Sequence, residues 1–152
     1  MTLLSAGLLM WRRREGRTEV LLAHFGGPQW QKKDDGAWAI PKGLVEPGED
    51  LVDCARREFE EELGVRPEGE LTSLGRIRQK GGKWVEAFAI EGELDAEAIV
   101  SNRFTTEWPP HSGRFRDYPE VDRADWFTLA EARAKILPSQ LPILASLERT
   151  LA

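Results

Sequence analysis

Glu49, Arg57, Glu58, Glu61 and Glu62 are the residues whose types and spacing could do chemistry in this chain. They lie in the stretch from Gly43 to Val65, GLVEPGEDLVDCARREFEEELGV. Pro47-Gly48 marks a turn. Asp50 is placed to cap a helix from about Leu51 to Leu63, and Gly64 is placed to stop it. Leu51, Val52, Ala55, Phe59 and Leu63 recur at helical spacing and predict the buried stripe. Glu58, Glu61 and Glu62 stand at i, i+3 and i+4 and share another face. As pure structure that face is costly. Like charges at this spacing destabilise a helix by about 0.2–0.5 kcal/mol per pair, and the macrodipole disfavours anions near the C-terminus. A divalent cation removes the conflict. Mg²⁺ takes oxygen ligands and keeps waters and substrate phosphates in its shell. The plainer alternative is a solvated acidic face with Arg56 and Arg57 as partners.

The full spacing decides between them. The pattern G-x5-E-x7-R-E-U-x-E-E-x-G-U is met at Gly43, Glu49, Arg57, Glu58, Glu61, Glu62 and Gly64, with Phe59 and Val65 at the apolar positions. An aromatic at the first of these is a mild departure, since aliphatics are usual there. On these residues the chain resembles the Nudix hydrolases. The likeness extends outside the box, to Ser5-Ala6-Gly7 in the first strand and to PEVDRADWFTLAEA over Pro119 to Ala132.

The resemblance implies an α+β fold, an α/β/α sandwich with a central mixed β-sheet and the box helix beside it. It implies hydrolysis of a nucleoside diphosphate linked to another group. It also implies Mg²⁺ or Mn²⁺ bound by Glu58, Glu61, Glu62, the Lys42 carbonyl and the late Glu120, six residues before Trp126. Glu58 and then Glu120 are the candidates for taking a proton from water. Arg57 is expected to orient Glu49 through a bidentate pair, with Gly43, Glu49 and Gly64 in structural roles. The pattern is most similar to the branch acting on dinucleoside polyphosphates and to bacterial NTP pyrophosphohydrolases. Nucleoside triphosphates and nucleotide sugars are alternative substrates, and a nucleotide-binding regulator without turnover is the alternative outside catalysis. An EF-hand is disfavoured because acids at alternate positions around a central Gly are absent.

The chain as a whole agrees. At 152 residues, 41% of them hydrophobic and six of them Trp, one domain over 1–152 with a real core is expected. A net charge of −5 argues against a general nucleic-acid surface, and the resemblance implies a small-molecule nucleotide as the partner. The single Cys54 excludes an internal disulfide, fits a reducing, cytoplasmic setting and reads as a small core residue. Met1 to Trp11 is apolar, but Arg12-Arg13-Arg14 follow it, the reverse of a signal peptide, and it is too short to span a bilayer. The expected assembly is a monomer or a homodimer.

The remaining elements must position the box. Strands are predicted over Ser5–Arg12, Glu19–His24, Ala37–Ile40, Leu71–Gln79, Lys83–Ile90 and Ile99–Thr106, with a strand end at Asp125–Phe127. Lys80-Gly81-Gly82-Lys83 reads as a hairpin that could bring Lys80 and Lys83 to substrate phosphates. Trp84, Ala87 and Phe88 predict a well-buried strand. Phe25–Gly36 reads as a loop in which Trp30 either stacks on a base or covers the core edge, and His24 reads as a strand-end or core histidine. Glu107–Glu120 reads as one long polar loop. Its Trp108, Phe115 and Tyr118 offer stacking, and its Arg114 and Arg116 offer charge for phosphates. Thr128 is expected to cap a helix over Leu129–Ile136, and Ser139 one over Gln140–Leu151.

Overall fold

The computed structural model describes residues 3–152; Met1 and Thr2, which begin the apolar opening run, lie outside them. The chain starts with a hairpin of β1 (Leu4–Arg14) and β2 (Arg17–Phe25). Glu15 and Gly16 both take positive φ, the turn whose twist matches that of its strands. Pairing of β1 with β2 runs only from Trp11↔Val20 to Arg14↔Arg17. Beyond Trp11 the two strands part, and two short strands fill the fork. β3 (Trp38–Ala39) pairs with β2, and β4 (Lys42–Leu44) pairs with β1. The box glycine, Gly43, is therefore a strand residue.

β6 (Trp84–Glu91) lies parallel to β1, and β5 (Thr72–Arg78) lies antiparallel to β6. β9 (Val121–Thr128) adds antiparallel to the other edge of β2. The mixed sheet thus runs β9, β2, the fork, β1, β6, β5. Strand alternation sends successive residues to opposite faces. Leu8 and Met10 of β1 and Leu21 of β2 join Cys54, Ala55, Phe59 and Leu63 of α1 (Leu51–Leu63) in one core. Leu9, Val20 and Leu22 join Ile136, Ile143, Leu144 and Leu147 in the other. Those last residues come from the end of α2 (Leu129–Lys135) and from α3 (Leu141–Leu151). Helices cover both faces, as the α+β reading requires.

Several local expectations are corrected. Glu107–Glu120 is not one long loop: β7 (Arg103–Glu107) and β8 (Phe115–Pro119) pair into a separate two-stranded ribbon. The predicted strand over Ile99–Thr106 is consequently shifted, and residues 99–102 form an extended connection instead. Ser139 does not cap α3. It lies in a 3₁₀ turn, where its Oγ accepts from Gln79 Nε2 at 2.6 Å, and Gln140 takes the cap position without a side-chain bond. Gln140 is instead spent on the fork: it is buried, and its Oε1 accepts from the Ile40 N–H at 3.0 Å, just ahead of Lys42. Trp84 is half-buried, while Ala87 and Phe88 are buried as expected. Among the described residues no helix is long and apolar enough to cross a membrane.

Candidate active site

The site is built where α1 crosses the fork. Asp50 caps the helix through the Asp53 N–H, and Gly64 ends it in the left-handed conformation at φ 85°. Gly43 faces α1 at such close range that a Cβ there would lie 2.1 Å from the Glu58 carboxylate. The strand glycine thus leaves room for Glu58, which is buried. The half-buried Glu62 is anchored to the same strand: its Oε2 accepts from the Lys42 N–H at 3.0 Å.

Arg57 is the hub. Its Nε and Nη2 grip the two Glu49 oxygens at 2.8 and 3.0 Å, the bidentate pair anticipated from the spacing. Its Nη1 donates to Glu58 at 2.9 Å and to Glu61 at 3.1 Å, which holds those two carboxylates side by side. Nη2 also reaches the Leu44 carbonyl at 3.2 Å, locking α1 to the end of β4. Arg57 and, behind it, the Glu46 N–H hold the Glu49 carboxyl down at about 2.

Glu120 arrives from a distant part of the chain. The connection before β7 runs along the last turn of α1. The Val100 N–H donates to the Leu63 carbonyl at 3.2 Å, and the Asn102 N–H to the Glu61 carbonyl at 2.8 Å. The Asn102 carbonyl then accepts from the Glu120 N–H at 2.7 Å, and Ser101 Oγ accepts from the Val121 N–H at 3.0 Å. The bare Gly64 permits this approach, since a Cβ there would meet the Val100 carbonyl at 2.8 Å. Sequence reasoning missed Ser101 and Asn102: Asn102 acts through its backbone, which leaves no residue-type signal, and Ser101 through a hydroxyl that its neighbours in sequence do not mark.

The electrostatics follow from this crowding. Burial first, and then the charge of Glu61, raise the Glu58 carboxyl above its ordinary value. Burial and then Glu58 raise Glu62 further. Glu120 is raised by desolvation and by Glu61. Lys42 is lowered by burial, and Lys83 adds to the lowering. Arg57 pairs with Glu46, Glu49, Glu58 and Glu61, and Lys42 lies near Glu62 and Glu58. Among the described residues no three acidic, His or Cys side chains close around one point, because Glu58 and Glu61 are turned to Arg57. The donor set still fits Mg²⁺ or Mn²⁺: hard oxygens, excess negative charge, and an ion that completes its shell with water.

The flanks differ. On the β5–β6 side, Lys42, Lys80 and Lys83 line one cavity of about 300 Å³ with Gln79 and Ser139, so the turn does bring its lysines beside the box strand. On the β9 side, Trp108 lines a cavity with Trp30 and Phe104. The predicted stacking set does not hold together. Phe104 faces Tyr118 and Thr106 faces Arg116 across the ribbon, so Tyr118 and Arg116 share the cavity side. Phe115 alternates to the other side and is 65% exposed, and the exposed Arg114 precedes β8. Cys54 and His24 are structural in position. Cys54 is buried, and burial pushes its thiol up to about 11. His24 is fully buried between Asp122 Oδ1 at 2.7 Å and the Lys33 carbonyl at 2.6 Å.

Fold and site together define a mixed sheet whose fork carries a glutamate-rich helix, and the comparisons agree. The family model described as the NUDIX domain matches residues 1–147, and the chain belongs to the Nudix family. Human 8-oxo-dGDP phosphatase NUDT18 is 29% identical over 118 residues, 70% of this chain and 36% of that protein. The asymmetrical bis(5'-nucleosyl)-tetraphosphatase of Caenorhabditis elegans is 37% identical over 68 residues, 45% of each chain. The chain therefore spans less than half the length of these curated relatives. Among solved structures, the NUDIX domain of Shewanella oneidensis NrtR complexed with ADP ribose superposes with a TM-score of 0.71 at 15% identity, covering 100% of this chain and 90% of that one. A C. elegans Ap4A hydrolase binary complex gives 0.64 at 22% identity, covering 97% of both.

Proposed function

We propose that this chain is a metal-dependent pyrophosphohydrolase that cleaves a phosphoanhydride in a nucleoside diphosphate linked to another group, with dinucleoside polyphosphates of the Ap4A type as its first substrates. The observation that carries the reading is the carboxylate cluster around Arg57 with a three-lysine cavity beside it. Glu58, Glu61 and Glu62, with the Lys42 carbonyl and Glu120, would hold Mg²⁺ or Mn²⁺. When bound, such an ion supplies an acidified water and neutralises charge on the leaving phosphate. Arg57 keeps Glu58 and Glu61 adjacent and is itself fixed by Glu49. Glu58 is the first candidate to take the proton: Arg57 fixes its carboxylate at the fork beside Glu61. Glu120 is the second. Lys42, Lys80 and Lys83 would bind the phosphates farther along the bridge, which favours a long polyphosphate over a short one.

The test is a substrate panel with Mg²⁺ and with Mn²⁺, products resolved by chromatography: Ap4A, ATP, ADP-ribose and 8-oxo-dGDP. Ap4A is expected to give ATP and AMP with the highest kcat/KM. The match to NUDT18 covers more of this chain than the match to the tetraphosphatase, which makes 8-oxo-dGDP the second reading. Preferential cleavage of 8-oxo-dGDP would establish that reading instead, and no cleavage of any compound would remove the hydrolase reading altogether.

A further inference from the structure

We propose that the cavity between the loop after β2 and the β7–β8 ribbon is the seat of one nucleobase, which fixes the direction in which a nucleotide crosses the site. The inference rests on the hydrolase reading for its ligand class. Gly27, Gln29, Trp30, Phe104, Thr106 and Trp108 are among the residues that enclose about 170 Å³. Pockets for whole drug-sized ligands run to about 300–1,000 Å³, so this one takes a single ring system and leaves sugar and phosphates outside.

Its chemistry matches a base. Three aromatic side chains offer flat apolar surface, and Gln29 and Thr106 add an amide and a hydroxyl for a polar edge. The walls are pre-organised. Phe25 packs against Trp30 at 4.7 Å between centroids, and the Lys33 ammonium sits 5.0 Å over the same ring. Phe104 rests on the bare backbone of Gly27, where a Cβ would come within 2.9 Å of its Cζ. Gly27 has φ 97°, so no other residue substitutes there without strain.

Placement ties the cavity to the carboxylates. The Gly26 N–H, at the cavity wall, donates to the Glu120 carbonyl at 2.9 Å. In the sheet order β9 and β2 lie on one side of the fork, and β6 and β5, with Lys80 and Lys83 in the turn between them, lie on the other. A base seated against Trp108 therefore sends its phosphates past Glu120 and the box helix toward the lysines. Phe104 and Trp30, and not Phe115, are the partners of Trp108 in this seat.

The test compares binding of α,β-methylene-ADP with that of methylenediphosphonate, which carries the same phosphonate pair without a nucleoside. Both are titrated calorimetrically into the full chain with Mg²⁺. Thr106→Phe fills the cavity from a strand that tolerates aromatics, and Trp108→Ala removes one wall. Each is expected to weaken α,β-methylene-ADP by about ten- to a hundredfold, the value of one stacked base, and to leave methylenediphosphonate unchanged. If both variants bind both ligands as wild type does, no base sits there. If both ligands weaken equally, the effect is on the fold or the phosphate site, and the proposal fails. The hydrolase reading fails separately, when the nucleotide binds through this cavity and none of the panel is cleaved.

Discussion

At the scale of single residues, the box acids divide by what they touch. Glu61 is half-buried and among the described residues its side chain bonds only to Arg57, so its replacement removes a candidate ligand with little cost in packing. Glu61→Gln is expected to lower kcat by more than about a hundredfold, since even residues behind a metal ligand are worth about 10–100-fold, and to leave the melting temperature of the metal-free protein equal or slightly higher. Glu62→Gln should lower kcat as strongly while keeping β4 in place, because the glutamine amide oxygen can still accept from the Lys42 N–H. Wild-type turnover in Glu61→Gln at saturating metal would refute the assignment. Glu49 makes a different prediction. Its carboxyl is held at about 2 in the fold, by Arg57 first and the Glu46 N–H second. Its folded pKa is depressed, so the stability it contributes is complete above the unfolded value of about 4.3 and is lost as pH falls toward 2. Thermal melts from pH 6 down to pH 2 should fall less steeply for Glu49→Gln than for wild type. Parallel curves would mean that the pair is not formed in solution.

At the scale of elements, the contact between β4 and α1 decides whether the acids are usable. A Cβ at position 43 would overlap the end of the Glu58 side chain, so any larger residue there displaces the Glu58 carboxylate. Gly43→Ala must push the helix or rotate Glu58. It is expected to cost about 1–3 kcal/mol in denaturant unfolding, the usual range for overpacking, and to reduce kcat further than stability alone explains. Gly16→Ala is the control: Gly16 takes positive φ at a turn far from the box, and no atom lies within 4 Å of its Cβ position, so it should lose stability without losing kcat in the folded protein. The ribbon of β7 and β8 is the second decisive element. Antiparallel register puts Tyr118 opposite Phe104, and alternation then turns Phe115 away from the cavity.

At the scale of the whole molecule, the fork between β1 and β2 gathers negative charge from two distant parts of the chain. Glu58, Glu61 and Glu62 come from α1, and Glu120 comes from the bend between β8 and β9. Raised carboxyls work against the fold at neutral pH: their contribution is complete below the unfolded value and is lost as pH rises through the folded one. A cation bound by the folded state alone reverses this by mass action, worth about 2.7 kcal/mol at a hundred times its Kd. Differential scanning calorimetry at pH 7.5 should therefore show the melting temperature rising with Mn²⁺, and rising less in Glu61→Gln and in Glu120→Gln. An equal rise in the wild type and both variants would place the ion elsewhere.

What the sequence by itself determined is local. The cap at Asp50, the stop at Gly64, the apolar stripe of α1 and the Arg57–Glu49 pair all follow from spacings within one helix and the loop before it, where the helical period sets geometry directly. The strands of the β1–β2 hairpin were legible from apolar runs and the turn residues between them, whereas the mixed sheet was expected only from the family resemblance. Only the tertiary structure decided what meets across long separations. The bonds from residues 100–102 that set Glu120 beside Glu61 are made by backbone apart from the Ser101 hydroxyl, and backbone carries no residue-type signal. The division of Trp108 from Phe115 required the register of β7 on β8, because a period of two assigns faces only once pairing is known. Trp30 was left open between two roles, and the structure gives it both: it packs against the core and also lines a cavity with Phe104, a residue far along the chain that its own sequence neighbours do not reveal.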